Sequence, residues 1–197
     1  MDKQKIAAFF DDRAAAWDQN ERPEVYNIVK IIIDKIAPAP AAKILDIGCG
    51  TGILYPFLKA YKPAEILHID VSEGMLEQFR KKHPHANLLR ADFETAALEE
   101  NYFDYIIAYN VFPHFTDKQK VFDNAMRFLR PGGSFYIVHS MTREELQRVH
   151  GSNNQTKKDL LPAPAEMRQM YQNSGFENII IEEKSPGFYS SGVKSWK

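Results

Sequence analysis

The chain has 197 residues, 44% of them hydrophobic and 26% charged, and a formal net charge of −1. That length suits one α/β domain able to bury its own core, and so even a charge offers no electrostatic grip on nucleic acid or an anionic membrane. The single cysteine, Cys49, excludes an internal disulfide and a thiolate metal cluster within one chain. From its start, Met1-Asp2-Lys3-Gln4-Lys5, the chain enters a polar amphipathic stretch rather than an apolar signal core. No run approaches the roughly 18 apolar residues of a membrane span, so a cytoplasmic protein is expected.

Residues 1–36 precede the first strand and are expected to form an N-terminal helical cap, with two helices over Ile6–Ile36. Beyond them, short β-rich runs alternate with stretches of helical period, which predicts βαβ units and a mainly parallel sheet. Strands are expected at Lys43–Ile47, Glu65–Asp70, Ala86–Arg90, Tyr102–Tyr109, Ser134–His139, Asn178–Glu183 and Gly187–Lys194. One helix carries Val121, Ala125, Phe128 and Leu129 on a single face and ends at Arg130-Pro131-Gly132-Gly133; another carries Met167, Met170, Tyr171 and Ser174 and ends at Gly175. Met141–Pro164 lies outside the alternation. It begins as a helix and turns into the polar run Gly151-Ser152-Asn153-Asn154-Gln155-Thr156, and a loop of that length in one domain is read as a lid.

The strongest signal is Ile44-Leu45-Asp46-Ile47-Gly48-Cys49-Gly50-Thr51-Gly52, an apolar strand running into three alternate glycines before a helical segment. Glycine allows a sharp turn and lets backbone approach a ligand, and the helix start behind it supplies oriented N–H donors. A phosphate-binding P-loop would end in Gly-Lys-Ser/Thr, which is missing. A dinucleotide fingerprint would need its third glycine at Ile53, whereas here it is Gly52.

The spacing G-x-G-x-G resembles motif I of the class I S-adenosylmethionine-dependent methyltransferases, in particular the type 11, or ubiquinone/menaquinone-methyltransferase-like, group. The resemblance runs from Phe9 to Lys197. It implies one domain over residues 1–197: a Rossmann-like α/β fold with a seven-stranded, mainly parallel sheet, helices on both faces and an antiparallel last strand. It also implies S-adenosylmethionine as cofactor. A small molecule is the expected methyl acceptor, with neither nucleic acid nor membrane as partner, because the charge count shows no basic face and the stretch after the fourth strand reads Asn110-Val111-Phe112-Pro113 rather than the Asn/Asp-Pro-Pro-Phe/Tyr of many amino-directed nucleic-acid enzymes. Gly48, Cys49, Gly50 and Gly52 form its loop, and Asp46 lies near the cofactor's amino group. Asp70, ending the second strand, holds both ribose hydroxyls; a carboxylate suits this because it accepts two hydrogen bonds at once. Val71 and Met75, within Val71-Ser72-Glu73-Gly74-Met75-Leu76, pack on the adenine, and Asp92 in Ala91-Asp92-Phe93 accepts from the adenine amino group. Asn110 ends the fourth strand against the methionine part. Trp17 and Phe10, in the segment Phe9–Asp18, either wall the sulfonium off from water or are plain core contacts. Cys49 is a space-filling residue rather than a nucleophile.

Methyl transfer from a sulfonium is an in-line displacement, so alignment and exclusion of water matter most, and a base is needed only where the acceptor must first lose a proton. His114, just after the fourth strand, lines the acceptor site or merely packs. His139 closes the fifth strand near the same crevice, and His150 stands in the expected lid before Gly151, where it is either a catalytic candidate, with His114, that enters the site on closure or a solvated loop histidine. His83 and His85 flank Pro84 on a loop and are expected to be solvated. No metal site is expected, because no pair of these histidines has a close ligand spacing with a third donor. Two other functions remain open: a non-catalytic S-adenosylmethionine-binding regulator, and a nicotinamide-dependent oxidoreductase, for which the glycine spacing is not the expected one.

Overall fold

The computed structural model describes residues 3–20, 23–151, 160–184 and 187–196. Helices α1 (Lys3–Asp11) and α2 (Pro23–Ile36), with a 3₁₀ segment Ala14–Asn20 between them, precede the sheet. Then follow β1 (Lys43–Ile47), α3 (Tyr55–Lys59), β2 (Glu65–Asp70), α4 (Glu73–Lys82), β3 (Asn87–Arg90), β4 (Phe103–Tyr109), α5 (Lys118–Phe128) and β5 (Leu129–His139). Helices α6 (Arg143–Gly151) and α7 (Pro164–Asn173) and strands β6 (Phe176–Glu183) and β7 (Phe188–Lys194) complete the order.

The seven strands form one sheet in the order β3-β2-β1-β4-β5-β7-β6. The first five pair in parallel, while β7 runs antiparallel to both β5 and β6. Central strands of such a sheet are covered on both faces and so read as continuous apolar runs; Ile44, Leu45 and Ile47 of β1 are all buried. Alternate residues divide between the faces. Ile44 and Ile107 pack with Val29, Ile33 and Leu58 from α2 and α3, whereas Leu45, Ile47 and Ile106 pack with Phe122, Phe128, Leu146 and Tyr171 from α5, α6 and α7.

Local chemistry sets the helix starts. Ser72 accepts from the Met75 N–H at 3.1 Å and Asp117 from the Lys120 N–H at 3.0 Å, each satisfying a donor of the first turn. Thr142 and Glu145 form a reciprocal capping box ahead of α6, at 2.7 and 3.2 Å. Gly175 follows α7 with φ +86°.

The fifth strand corrects the sequence reading. Leu129 does not extend α5 but already pairs with Phe103, and Arg130-Pro131-Gly132-Gly133 lies within β5, with a register shift opposite Phe103–Tyr105. Lys194 stabilises this early start by donating from Nζ to the carbonyls of Met126 and Leu129, both at 2.8 Å. Of the expected lid, the first part is α6 and the foot is fixed by buried Leu161, whose carbonyl accepts from Arg143 Nε at 3.2 Å. Residues 152–159 and the His150 side chain lie outside the described part. Among the described residues no helix is long and apolar enough to cross a membrane.

Candidate cofactor-binding site

Strands β1 and β4 are neighbours, yet the chain leaves β1 toward β2 on one side and reaches β4 only after β3. At such a switch point the two following loops part and leave a crevice beyond the carboxyl ends of the strands, where open α/β sheets bind ligands. Here the crevice is a cavity of about 300 Å³. The loop after β1 contributes Gly48, Cys49, Gly50 and Thr51; the strand ends contribute Asp46, Asp70, Val71, Tyr109 and Asn110. Met75, Asp92, Phe93 and His114 line it further on, and Lys3, Ile6, Phe10 and Trp17 of the N-terminal segment cover it.

The glycines of the loop have separate tasks. Gly50 has φ +53°, and a Cβ there would meet nothing within 4 Å, so its absent side chain is open space at the cavity wall. Gly52 has φ +93°, but a Cβ would stand 2.6 Å from the Phe79 ring. It does not line the cavity; it lets α4 pack against the loop.

Asp70 is 9% exposed. One of its oxygens accepts from the Gly50 N–H and the other from the Ser72 N–H, both at 2.9 Å. Each carboxylate oxygen can accept twice, so both keep capacity toward the cavity. Burial, assisted by the charge of Asp46, pushes the Asp70 carboxyl above its ordinary value, against the pull of these backbone donors. Burial likewise raises the Cys49 thiol well above its usual range, with Asp46 and Asp70 adding to the effect. A thiol so disposed stays neutral and is no nucleophile.

Asp46 is buried at the cavity wall, and its Oδ2 lies 2.9 Å from Nδ1 of His68. The sequence reading omitted His68, because a histidine inside the apolar run Ile66-Leu67-His68-Ile69 carries no local sign of a partner.

Asp92 accepts the Glu94 N–H at 2.9 Å and holds Lys3 Nζ at 2.6 Å, and Lys3 also reaches Glu94 at 3.0 Å. Burial opposes the charge on Glu94, but hydrogen bonds from Thr116 and Lys3 outweigh it and hold the carboxyl below its ordinary value. Phe93 is buried against Phe115 and Phe128 while also lining the cavity. Met75 and Val71 lie at the wall. Asn110, in the left-handed region with φ +54°, accepts the Ser140 N–H at 2.8 Å and so ties the end of β4 to the residue after β5.

Phe10 stands at the centre of the cover, edge-on to Trp17 at 5.6 Å and to His114 at 5.2 Å. Trp17 is 42% exposed and so is not a plain core contact. Further residues fasten this segment. Asp11 accepts from Ser72 Oγ at 2.6 Å and the Gly74 N–H at 2.9 Å, and Asp18 accepts from Thr51 Oγ1 at 2.6 Å and Lys82 Nζ at 2.7 Å. These contacts span more than thirty residues of chain, too far for spacing to reveal.

Two histidine expectations change. His139 does not line the cavity; its Nδ1 accepts the Met141 N–H at 3.0 Å and turns the chain into α6. His83 is not simply solvated: it is half-buried against Tyr55 and Phe79 at 4.7 and 5.7 Å, and burial lowers its pKa. Among the described residues, no group of three His, Cys, Asp or Glu side chains could hold a metal ion.

A parallel sheet with an antiparallel penultimate strand and an acid-lined crevice behind a glycine loop defines the Rossmann-like methyltransferase class. The methyltransferase domain family matches residues 45–137, the part that carries the glycine loop, Asp70, Asp92 and Asn110. Over that part, just under half of its length, the chain is similar to the class I S-adenosylmethionine-dependent methyltransferases of the type 11 group. No curated protein is similar enough to count as a match.

Solved structures share the fold. A chain from the complex between the Haloferax volcanii Trm112 methyltransferase activator and a methyltransferase superposes with TM-score 0.80 at 17% identity, over 94% of this chain and 97% of that one. An S-adenosyl-L-methionine-dependent methyltransferase of Methanococcus maripaludis gives 0.74 at 21% identity, over 98% and 94%. Phosphoethanolamine N-methyltransferase 2 of Haemonchus contortus, bound to phosphomonomethylethanolamine and S-adenosylhomocysteine, gives 0.70 at 17% identity, over 86% of this chain and 52% of that one. The present chain thus spans about half the length of the Haemonchus enzyme.

Proposed function

We propose that this protein is an enzyme that transfers a methyl group from S-adenosylmethionine to a small-molecule acceptor. The observation that carries the reading is Asp70: a buried carboxylate, anchored on the glycine loop by Gly50, with accepting capacity left on both oxygens beside the open Cβ position of Gly50. This suits the two hydroxyls of a ribose, and the acid at Asp46 suits an ammonium group. The cofactor fits the residues present.

When bound, S-adenosylmethionine supplies a methyl group on a sulfonium, and its transfer to a lone pair on the acceptor leaves a neutral thioether. The protein's share is binding, orientation and exclusion of water. Asp70 takes the ribose hydroxyls, Asp46 the ammonium, Asp92 the adenine amino group, and Val71 and Met75 the faces of the adenine. Phe10 and Trp17 close the cavity from the N-terminal side. His114, held beside Phe10, faces the acceptor and orients it or takes its proton.

The acceptor is proposed to be small because His114 shares its cavity, of about 300 Å³, with the apolar side chains of Phe10, Trp17, Val111 and Phe115. The Haemonchus structure, with its phosphomonomethylethanolamine, is a precedent for a small acceptor on this fold. The near-neutral chain is no natural partner for nucleic acid or membrane. The test is a turnover screen with methyl-labelled cofactor against pooled small-molecule acceptors. Label entering any pool supports an enzyme of this kind, while tight cofactor binding without transfer to any pool favours a cofactor-sensing regulator.

A further inference from the structure

We infer that His68 is a positioning residue for the cofactor: by donating its Nδ1–H to Asp46, it keeps that carboxylate turned into the cavity to receive an ammonium group. The inference rests on the cofactor reading above.

Asp46 and His68 are register partners on the neighbouring parallel strands β1 and β2, so their side chains project from the same face of the sheet. Both are buried, and Oδ2 and Nδ1 lie 2.9 Å apart. A carboxylate only accepts, so the proton of this contact sits on Nδ1. The second ring nitrogen, Nε2, is buried without a hydrogen-bond partner. Tyr55 and Phe79 press on the ring edge-on, with centroids at 5.3 and 4.7 Å.

Leucine or isoleucine would fill this aromatic niche without stranding a polar atom, so packing does not account for a histidine here. What it adds is one donor, aimed at one oxygen of Asp46. That contact fixes the carboxylate's rotation, and Oδ1 has no hydrogen bond among the described residues. The same Phe79 ring that backs His68 also fills the space beside Gly52, so the histidine, α4 and the glycine loop are held as one unit. His68 does not line the cavity and touches no cofactor; it acts through Asp46.

Two ligands separate this role from a merely structural one. S-adenosylhomocysteine carries the amino-acid arm, whereas 5′-methylthioadenosine keeps the adenosine and lacks the ammonium. Calorimetry on the whole chain compares both ligands for wild type, His68→Leu and His68→Asn. The asparagine amide nitrogen occupies the place of Nδ1 and preserves the donor. His68→Leu is expected to weaken S-adenosylhomocysteine by about tenfold or more and methylthioadenosine by less than about threefold, while His68→Asn keeps both within about threefold of wild type. Should the leucine variant not fold, His68→Gln, which carries its amide to the Nε2 position away from Asp46, takes its place. The proposal is overturned if both ligands weaken in step, if asparagine fares no better than leucine or glutamine, or if no variant changes S-adenosylhomocysteine binding. A wild-type protein that binds neither ligand overturns the cofactor reading itself, and this inference with it.

Discussion

The Gly50 N–H donates to Asp70 Oδ2 at 2.9 Å, so the loop after β1 is fastened to the end of the neighbouring strand β2 on one side of the crevice. The Ser72 N–H holds the other oxygen at the same distance, and the carboxylate can turn neither away from the cavity nor toward bulk water. A group held in this way before a ligand arrives loses little freedom on binding it.

Replacing Asp70 by alanine removes the acceptor for two ribose hydroxyls. The expected loss is about 1.5–3 kcal/mol, or a cofactor weakened by about tenfold or more. Titration of S-adenosylhomocysteine into a folded Asp70→Ala protein measures it. Unchanged affinity would assign the ribose to another residue.

Two glycine variants should fail for different reasons. At Gly50 an added Cβ enters the cavity without meeting protein, so Gly50→Ala should keep most of the stability, less about 1–2 kcal/mol for its positive φ, and lose cofactor affinity. At Gly52 the Cβ strikes Phe79 at 2.6 Å, and Gly52→Ala should destabilise the fold by about 1–3 kcal/mol beyond its own backbone strain. Thermal melts paired with cofactor titrations distinguish the two. Equal stability in both variants would refute the division of roles.

Burial raises the Asp70 carboxyl, which fixes the sign of two pH effects. A folded value above the unfolded one means that the free protein's contribution from this group is fully present below the unfolded pKa and is lost as pH rises through the folded one. Ribose binding runs the other way, because it needs the ionised carboxylate. Cofactor affinity should therefore fall as the solution is acidified through the raised Asp70 value, before ordinary carboxylates titrate. Calorimetry across that range, with Asp70→Ala as the reference that lacks this group's contribution, checks the direction. An affinity that rises on acidification would contradict it.

Strand positions were legible because a buried parallel strand is apolar throughout and glycine or proline punctuates its ends; β1 and β2 match their expected bounds. The start of β5 was not. Arg130-Pro131-Gly132-Gly133 has the composition of a turn, and its pairing with β4 is decided by Lys194 and Trp196, more than sixty residues on. The glycine loop and Asp70 announced themselves by spacing, whereas Gly52 looked like its neighbours, and only the position of Phe79 reveals its different task. Asp11, Asp18 and Lys3 were invisible as site residues, since a charged residue on an amphipathic helix reads as solvated until the fold brings its partner. His68 was hidden for a related reason: it stands three residues into β2 as Asp46 stands three into β1, and that matters only once the register sets Lys43 beside Glu65.

The central claim is that the crevice holds S-adenosylmethionine through Asp46, Asp70 and the glycine loop. Calorimetric titration of the purified chain with S-adenosylhomocysteine, and separately with NAD, tests it most directly. One saturable site is expected for S-adenosylhomocysteine, weakened by Asp70→Ala, and no heat with NAD. Binding of NAD with no response to S-adenosylhomocysteine would contradict it.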